Sequence, residues 1–275
     1  MNSNDRIRSS DFYGEYHGHK VEHLEKLLPL LRSSSDCLIW TSGDSSLDNK
    51  YWFGDRKPAV GAYQSILTPP TSICDVTYWL NYLSDNRHKD GKGEKIAAIN
   101  AAVEASTLNE RSYELRPQDK FLRDNISSND ILIVSIGGND VAMMPTPCTI
   151  AAMAGLLCLP ANCVERGVTC CAVPCNDHCC GCGPSLCSCA GSCPPCLGYF
   201  RHLFGTRVQK YIEQITSKTK PAKILVCMIY YLDENKTDSW AGNALEAMGY
   251  NSNPAKLQTF IRKTFVEATR LVLLM

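Results

Sequence analysis

Hydrophobic positions along the chain follow two spacings, one typical of helices and one typical of buried strands. Recurrence every three or four residues predicts five helices: residues 17–32, a segment capped by Ser72, residues 117–126, residues 199–218, and a last helix from Asn253 and Pro254 to Met275. Short continuous apolar runs predict three strands: residues 37–40, 131–136 and 224–231. Residues 95–103 fit either a second strand or the start of a helix.

This alternation of strands and helices predicts an α/β domain with a parallel sheet covered by helices on both faces. Ligands of such domains bind where the carboxyl ends of the strands meet. Residues 43–45, Gly-Asp-Ser, follow the strand at 37–40, and residues 137–140, Gly-Gly-Asn-Asp, follow the strand at 131–136. A serine on such a turn extends its hydroxyl over the sheet edge, and a neighbouring Asn amide can donate to the same point. Taken singly, both are equally typical turn and helix-cap residues.

Composition narrows the class of protein and of partner. The 275 residues suffice for one α/β domain with an insertion, and 44% apolar residues are enough for a buried core. The 28 basic residues balance the 28 acidic ones, which argues against nucleic acid as a partner. The polar N-terminus shows no signal peptide, and the apolar residues 149–160 are too few to span a bilayer. We expect a cytoplasmic protein without a transmembrane segment.

Cysteine is concentrated in one segment, because 13 of the 16 cysteines lie in residues 148–196. We therefore divide a single domain into residues 1–147, a cysteine-rich insertion at 148–196, and residues 197–275. The pairs Cys175 with His178, Cys179 with Cys182, and Cys193 with Cys196 have spacings that zinc sites use. Disulfides, S-acylation that would bring the segment to a membrane surface, and an apolar lid with free thiols are the alternatives.

The two strand-end motifs resemble the first and third sequence blocks of the SGNH, or GDSL-type, hydrolases: residues 43–47, Gly-Asp-Ser-Ser-Leu, and residues 137–140. The resemblance implies a flavodoxin-like, three-layer α/β/α fold and a serine esterase or lipase. It implies that Ser45 is the nucleophile, and that the N–H of Ser45 and the side chain of Asn139 stabilise the oxyanion. The substrate would be a small-molecule or lipid ester, and no cofactor is expected.

Two departures from the family pattern affect this expectation. Residues 103–107 occupy the place of the second block, where Ala105 replaces a glycine whose N–H is an oxyanion donor. The final Asp-x-x-His block is absent after the strand at 224–231, so we expect a truncated chain and assign no histidine as the base. The family is one of enzymes that hydrolyse ester bonds, and without the catalytic His we expect this chain to be nearly inactive. The alternative function is a catalytically inactive scaffold that acts as a binding or cysteine-rich metal-binding protein.

Aromatic residues between the first two strands could line an acyl pocket, but side chains at these spacings more often pack in a core. They are Trp52, Phe53, Tyr63, Tyr78, Trp79 and Tyr82.

Overall fold

Two compact units make up the chain in the computed structural model, which describes residues 6–145, 147–165, 198–235 and 250–272. The first unit comprises Met1–Ser106, Glu114–Ser135 and Ile212–Leu225. The second comprises Thr107–Tyr113, Ile136–Tyr211 and Val226–Met275.

Eight strands lie in the described ranges: β1 (Ile7–Arg8), β2 (Cys37–Gly43), β3 (Arg56–Pro58), β4 (Leu67–Thr68), β5 (Thr71–Ile73), β6 (Ile96–Asn100), β7 (Ile131–Ser135) and β8 (Lys223–Cys227). The main sheet has the order β6-β2-β7-β8. In it β2 pairs in parallel with both β6 and β7, so that Thr41 faces Asn100 and Gly43 faces Ser135. Short pairs form between β1 and β4 and between β3 and β5.

The described helices are α1 (Ser9–Tyr13), α2 (Val21–Ser34), α3 (Ala62–Ile66), α4 (Val76–Lys89), α5 (Leu108–Arg111), α6 (Pro117–Asn125), α7 (Gly138–Ala142), α8 (Pro147–Cys158), α9 (Ala161–Glu165), α10 (Gly198–Arg201), α11 (Val208–Ile215) and α12 (Pro254–Glu267). A π-helical turn covers His202–Arg207, and 3-10 turns cover Lys50–Trp52 and Thr269–Leu271. In the first unit α2 and α4 pack against the main sheet. The predicted α/β class is therefore confirmed, and the order of the four strands is the one that flavodoxin-like folds use.

The position of β2 in the sheet is stabilised by one buried carboxylate. Asp130 accepts from the N–H of Leu38 at 3.0 Å and from the indole Nε1 of Trp40 at 2.9 Å. It also forms a two-pronged ion pair with Arg32, at the end of α2. Because strand and helix share this acceptor, the start of β2 and the end of α2 are held together.

In the second unit, aromatic side chains form part of the core. The rings of Phe200 and Phe260 meet edge to face with their centroids 4.9 Å apart. The Tyr199 hydroxyl and Thr149 Oγ1 form a buried hydrogen bond of 2.7 Å. These contacts join α8, α10 and α12 within the unit.

Several predicted element boundaries are wrong, each for a local reason. Ser72 lies in β5, and the cap of α4 is Asp75, whose carboxylate accepts from the N–H of Tyr78 at 2.7 Å. The helix expected at 199–218 contains the π-helical turn and ends at Ile215. Asn253 makes no side-chain cap bond, and α12 ends at Glu267. The ambiguous residues 95–103 contain a strand, β6, because they pair with β2.

Among the helices in the described ranges, none combines the length and the hydropathy that crossing a bilayer requires. Most of the predicted cysteine-rich insertion lies outside the described residues, so its domain boundaries stay a prediction. Cys37, Cys74, Cys158, Cys163 and Cys227, the cysteines that the structure does describe, are free thiols.

Candidate active site

The turn after β2 presents Ser45 at the carboxyl end of a central strand. The main-chain oxygen of Asp44 accepts from the N–H of Leu47 and of Asp48, both at 3.0 Å, which closes one helical turn. The Asp44 carboxylate accepts from the N–H of Ser46 at 3.0 Å. These bonds fix the backbone on both sides of Ser45, whose side chain is half-buried.

Gly43, at the end of β2, is required by the close approach of β7. A Cβ at this position would lie 1.8 Å from the main-chain oxygen of Ser135, and the φ of +135° lies where L side chains are strained. The same approach lets the N–H of Asp44 donate to the Ser135 oxygen at 3.0 Å. The glycine before the serine is thus a packing requirement of the sheet as well as a turn residue.

The turn after β6 holds Ala105 in the left-handed region, at φ +59°. This turn is bonded to β2, because the main-chain oxygen of Gly43 accepts from the N–H of Val103 at 3.0 Å and from the Ser106 hydroxyl at 3.2 Å. The Ser106 hydroxyl also contacts the Val103 oxygen at 2.5 Å. A non-glycine residue in this region carries about 1–2 kcal/mol of strain, which the surrounding bonds must offset.

Hydrogen bonding leaves two main-chain donors free at these adjacent turns. Within the part of the chain that the structure describes, the N–H groups of Ser45 and Ala105 donate to no protein acceptor, and the Ser45 hydroxyl makes no hydrogen bond. Main-chain N–H groups in folded proteins are nearly always paired with protein or water. Two free donors on neighbouring strand ends are therefore available to a ligand.

Asp48 is a buried acceptor that connects the two turns. Its Oδ2 accepts from the N–H of Gly18 and of Glu104, both at 2.9 Å. Its Oδ1 accepts from the Lys50 ammonium at 2.7 Å and from the Asn100 amide at 3.2 Å. Asp48 and Lys50 are both fully buried, so this ion pair depends on its further hydrogen bonds to offset desolvation. One carboxylate thus holds the Ser45 turn, the Ala105 turn and the segment before α2.

Glu104, next to Ala105, is buried and only partly hydrogen-bonded. One carboxylate oxygen accepts from the indole Nε1 of Trp52, and the main-chain oxygen lies 3.2 Å from Nδ1 of His17. Burial raises the pKa of Glu104, while the Trp52 bond acts in the opposite direction. A carboxyl and an exposed indole therefore stand beside the free N–H of Ala105.

Asn139 lies in the second unit, in the short helix α7. Gly137, in the left-handed region at φ +106°, precedes the helix, and the Asn139 main-chain oxygen accepts from Met143 and Met144. The neighbouring Asp140 is buried and accepts from the N–H groups of Leu108 and Asn109, both at 2.8 Å. Burial raises the pKa of Asp140, and these bonds act against the rise. The Asn139 side chain is half-buried.

Two of the three predicted site residues thus share one unit, since Ser45 and Ala105 lie on hydrogen-bonded turns of the first unit. Sequence reasoning did not find Asp48, Lys50 or Glu104. Asp48 follows Ser45 by three residues, which is the spacing of one helical turn. This spacing is the one local signal in the sequence that Asp48 lies close to Ser45.

The aromatic residues expected in the core divide into two groups. Tyr63 and Tyr78 are buried as predicted, whereas Trp52 is 64% exposed and Phe53, Trp79 and Tyr82 are also exposed. The exposed Trp52 indole nevertheless donates its N–H to the buried carboxylate of Glu104.

The described residues contain no cluster of side chains suited to a metal ion. Within the described ranges, no group of three His, Cys, Asp or Glu side chains could hold a metal ion. The predicted zinc-type pairs from Cys175 to Cys196 lie outside those ranges.

No family model and no curated protein matches the chain.

A solved structure with some likeness is an extracellular lipase from Streptomyces rimosus, at 12% identity and a TM-score of 0.37. The match covers 85% of this chain and 76% of that one. A likeness of this degree transfers neither a residue role nor a substrate.

Proposed function

We propose that the chain is a serine-dependent ester hydrolase in which Ser45 is the nucleophile. The observation that carries this proposal is the pair of unbonded N–H groups, at Ser45 and Ala105, beside an unbonded serine hydroxyl. Donors aimed at the place where negative charge develops are the main requirement of acyl transfer. The resemblance of residues 43–47 and 137–140 to the SGNH blocks supports the same assignment.

The reaction proceeds in two steps, formation of an acyl-serine and its hydrolysis. Ser45 Oγ bonds to the carbonyl carbon, its proton leaves to a base, and the bond to the alcohol oxygen breaks as that oxygen takes up a proton. Water oxygen then bonds to the acyl carbon, the bond from that carbon to Ser45 Oγ breaks, Oγ takes up a proton, and the acyl group leaves as the carboxylic acid. The N–H groups of Ser45 and Ala105 bind the oxyanion in both steps. The role of the Asn139 side chain as a further donor is implied by the resemblance alone. No described residue bonds to Ser45 Oγ, so the base is not assigned among them.

The test uses the two adjacent serines as a matched pair. We expect Ser45→Ala to lower kcat/KM for p-nitrophenyl acetate by about 10³-fold or more, because the nucleophile is lost. Ser46→Ala is the control, since Ser46 contributes its main-chain N–H to Asp44. A fluorophosphonate probe should label Ser45 in the wild type and in Ser46→Ala. Equal hydrolysis by both variants, or no labelling of the wild type, would overturn the proposal.

A further inference from the structure

Three aromatic side chains of the first unit form a surface beside the Ala105 turn, and we call Tyr16, Tyr51 and Trp52 the aromatic surface. The rings of Tyr16 and Tyr51 meet edge to face at 4.9 Å, and those of Tyr51 and Trp52 at 5.7 Å. Tyr51 is 58% and Trp52 is 64% exposed. Large exposed rings in contact with one another are typical of binding surfaces.

Behind this surface, Glu104 has an unsatisfied acceptor. Its side chain is 1% exposed, and among the described residues its second carboxylate oxygen, Oε2, has no hydrogen-bond partner. The first oxygen, Oε1, accepts from the Trp52 indole. A buried carboxylate that is only partly hydrogen-bonded is costly, and its charge attracts a cation even where no N–H reaches the unpaired oxygen, because the attraction between charges acts at a distance.

The charges around Glu104 leave one negative charge without a partner. The titratable groups that interact with it are Asp48, Lys50, His17 and Tyr16. The Lys50 ammonium is bonded to Asp48 at 2.7 Å. His17 Nδ1 lies 3.2 Å from the main-chain oxygen of Glu104, and the His17 ring meets the ring of Tyr16 edge to face at 4.6 Å. The single ammonium of Lys50 therefore interacts with two buried carboxylates, those of Asp48 and Glu104.

We propose that the aromatic surface and Glu104 form a subsite for a quaternary ammonium group in the alcohol part of the ester. Faces of aromatic rings attract cations, and an indole whose N–H donates to a carboxylate is a richer electron source for that attraction. The carboxylate adds a long-range attraction that a neutral group would not experience. The subsite adjoins Ala105, and its role in catalysis rests on the proposed esterase function.

Binding is tested apart from catalysis. We titrate the full chain with tetramethylammonium chloride at constant ionic strength and measure the heat of binding by calorimetry, a readout that does not depend on Trp52 itself. We expect saturable binding that Trp52→Phe abolishes and that needs about tenfold more ligand in Glu104→Gln. Trp79→Phe is the matched control, because Trp79 is also exposed but its ring already faces the Lys57 ammonium at 4.7 Å. Equal binding of the uncharged 3,3-dimethylbutan-1-ol, or a response that persists in Trp52→Phe, would overturn the subsite.

Kinetics separate the two proposals. Acetylcholine and its uncharged isostere, 3,3-dimethylbutyl acetate, differ only in the charge of the head group. We expect kcat/KM to favour acetylcholine by about tenfold in the wild type and to become nearly equal in Glu104→Gln. Equal rates in the wild type would refute the subsite and leave the esterase standing. Binding of tetramethylammonium without hydrolysis of either ester would refute the esterase and leave the subsite standing.

Discussion

Replacement of Ala105 by glycine tests the backbone geometry on which the oxyanion assignment depends. In the structure Ala105 has φ +59°, a conformation that costs an alanine about 1–2 kcal/mol and a glycine nothing. Against this gain, glycine adds about 0.7 kcal/mol of chain entropy to the unfolded state. Loss of the half-buried methyl costs about 0.4 kcal/mol more. We therefore expect Ala105→Gly to stabilise the protein slightly, by about 0.4 kcal/mol.

Ala102→Gly provides the comparison from the same turn. Ala102 is fully buried and does not have a positive φ, so its replacement by glycine relieves no backbone strain. The variant protein loses a buried methyl group, and its unfolded state gains chain entropy, and both effects lower the stability. We expect it to destabilise by about 1.5 kcal/mol, roughly 2 kcal/mol apart from Ala105→Gly. Urea unfolding measures both values, and hydrolysis of p-nitrophenyl acetate should persist in Ala105→Gly because the N–H remains. Equal losses of stability in the two variants would show that Ala105 is not left-handed.

Three further substitutions test other contacts by urea unfolding. Gly43→Ala should destabilise the protein by about 3 kcal/mol or more, because its Cβ would meet the main chain of Ser135. Gly54→Ala is the control and should change stability little, because Gly54 has open space around it. Similar values for the two variants would refute the close approach of β7 to Gly43. Lys50→Met should lower the free energy of unfolding by about 3–5 kcal/mol, because its partner carboxylate stays buried without its ammonium. The exposed Lys89→Met is the control and should lower it by less than about 1 kcal/mol. An equally small effect at Lys50 would contradict its burial. Burial raises the pKa of Asp75 to about 7. Since the unfolded chain releases this proton near about pH 4, stability should fall as pH rises from about 4 to about 7. Asp75→Asn keeps the helix cap and should remove that fall, and an unchanged pH profile would refute the shift.

The strands of the sheet were predictable because their signal is local. The apolar runs of β2 and β7 are continuous, as expected of strands covered on both faces, and both were found at nearly their true positions. The start of α4 was misplaced because Ser72 and Asp75 are both good caps. The choice between them depends on β5, whose pairing with β3 is not a local property.

The site was predictable only in part, for a similar reason. Ser45 and Ala105 could be named only from the resemblance of their motifs. The positive φ of Ala105 lies at the place where the resembling family pattern has a glycine. The buried pair of Asp48 and Lys50 could not be named, since an Asp-Asn-Lys sequence is typical of an exposed turn. Its burial depends on Gly18 and Glu104, which lie far away in the sequence.

The carboxylate of Asp48 has a consequence for how the first unit opens. The amides of Gly18 and Glu104 donate to one and the same oxygen, Oδ2. We therefore expect any opening that moves the Asp48 carboxylate to expose both amides to solvent together. Hydrogen exchange at the two amides should then report one shared opening, although 86 residues separate them in the chain.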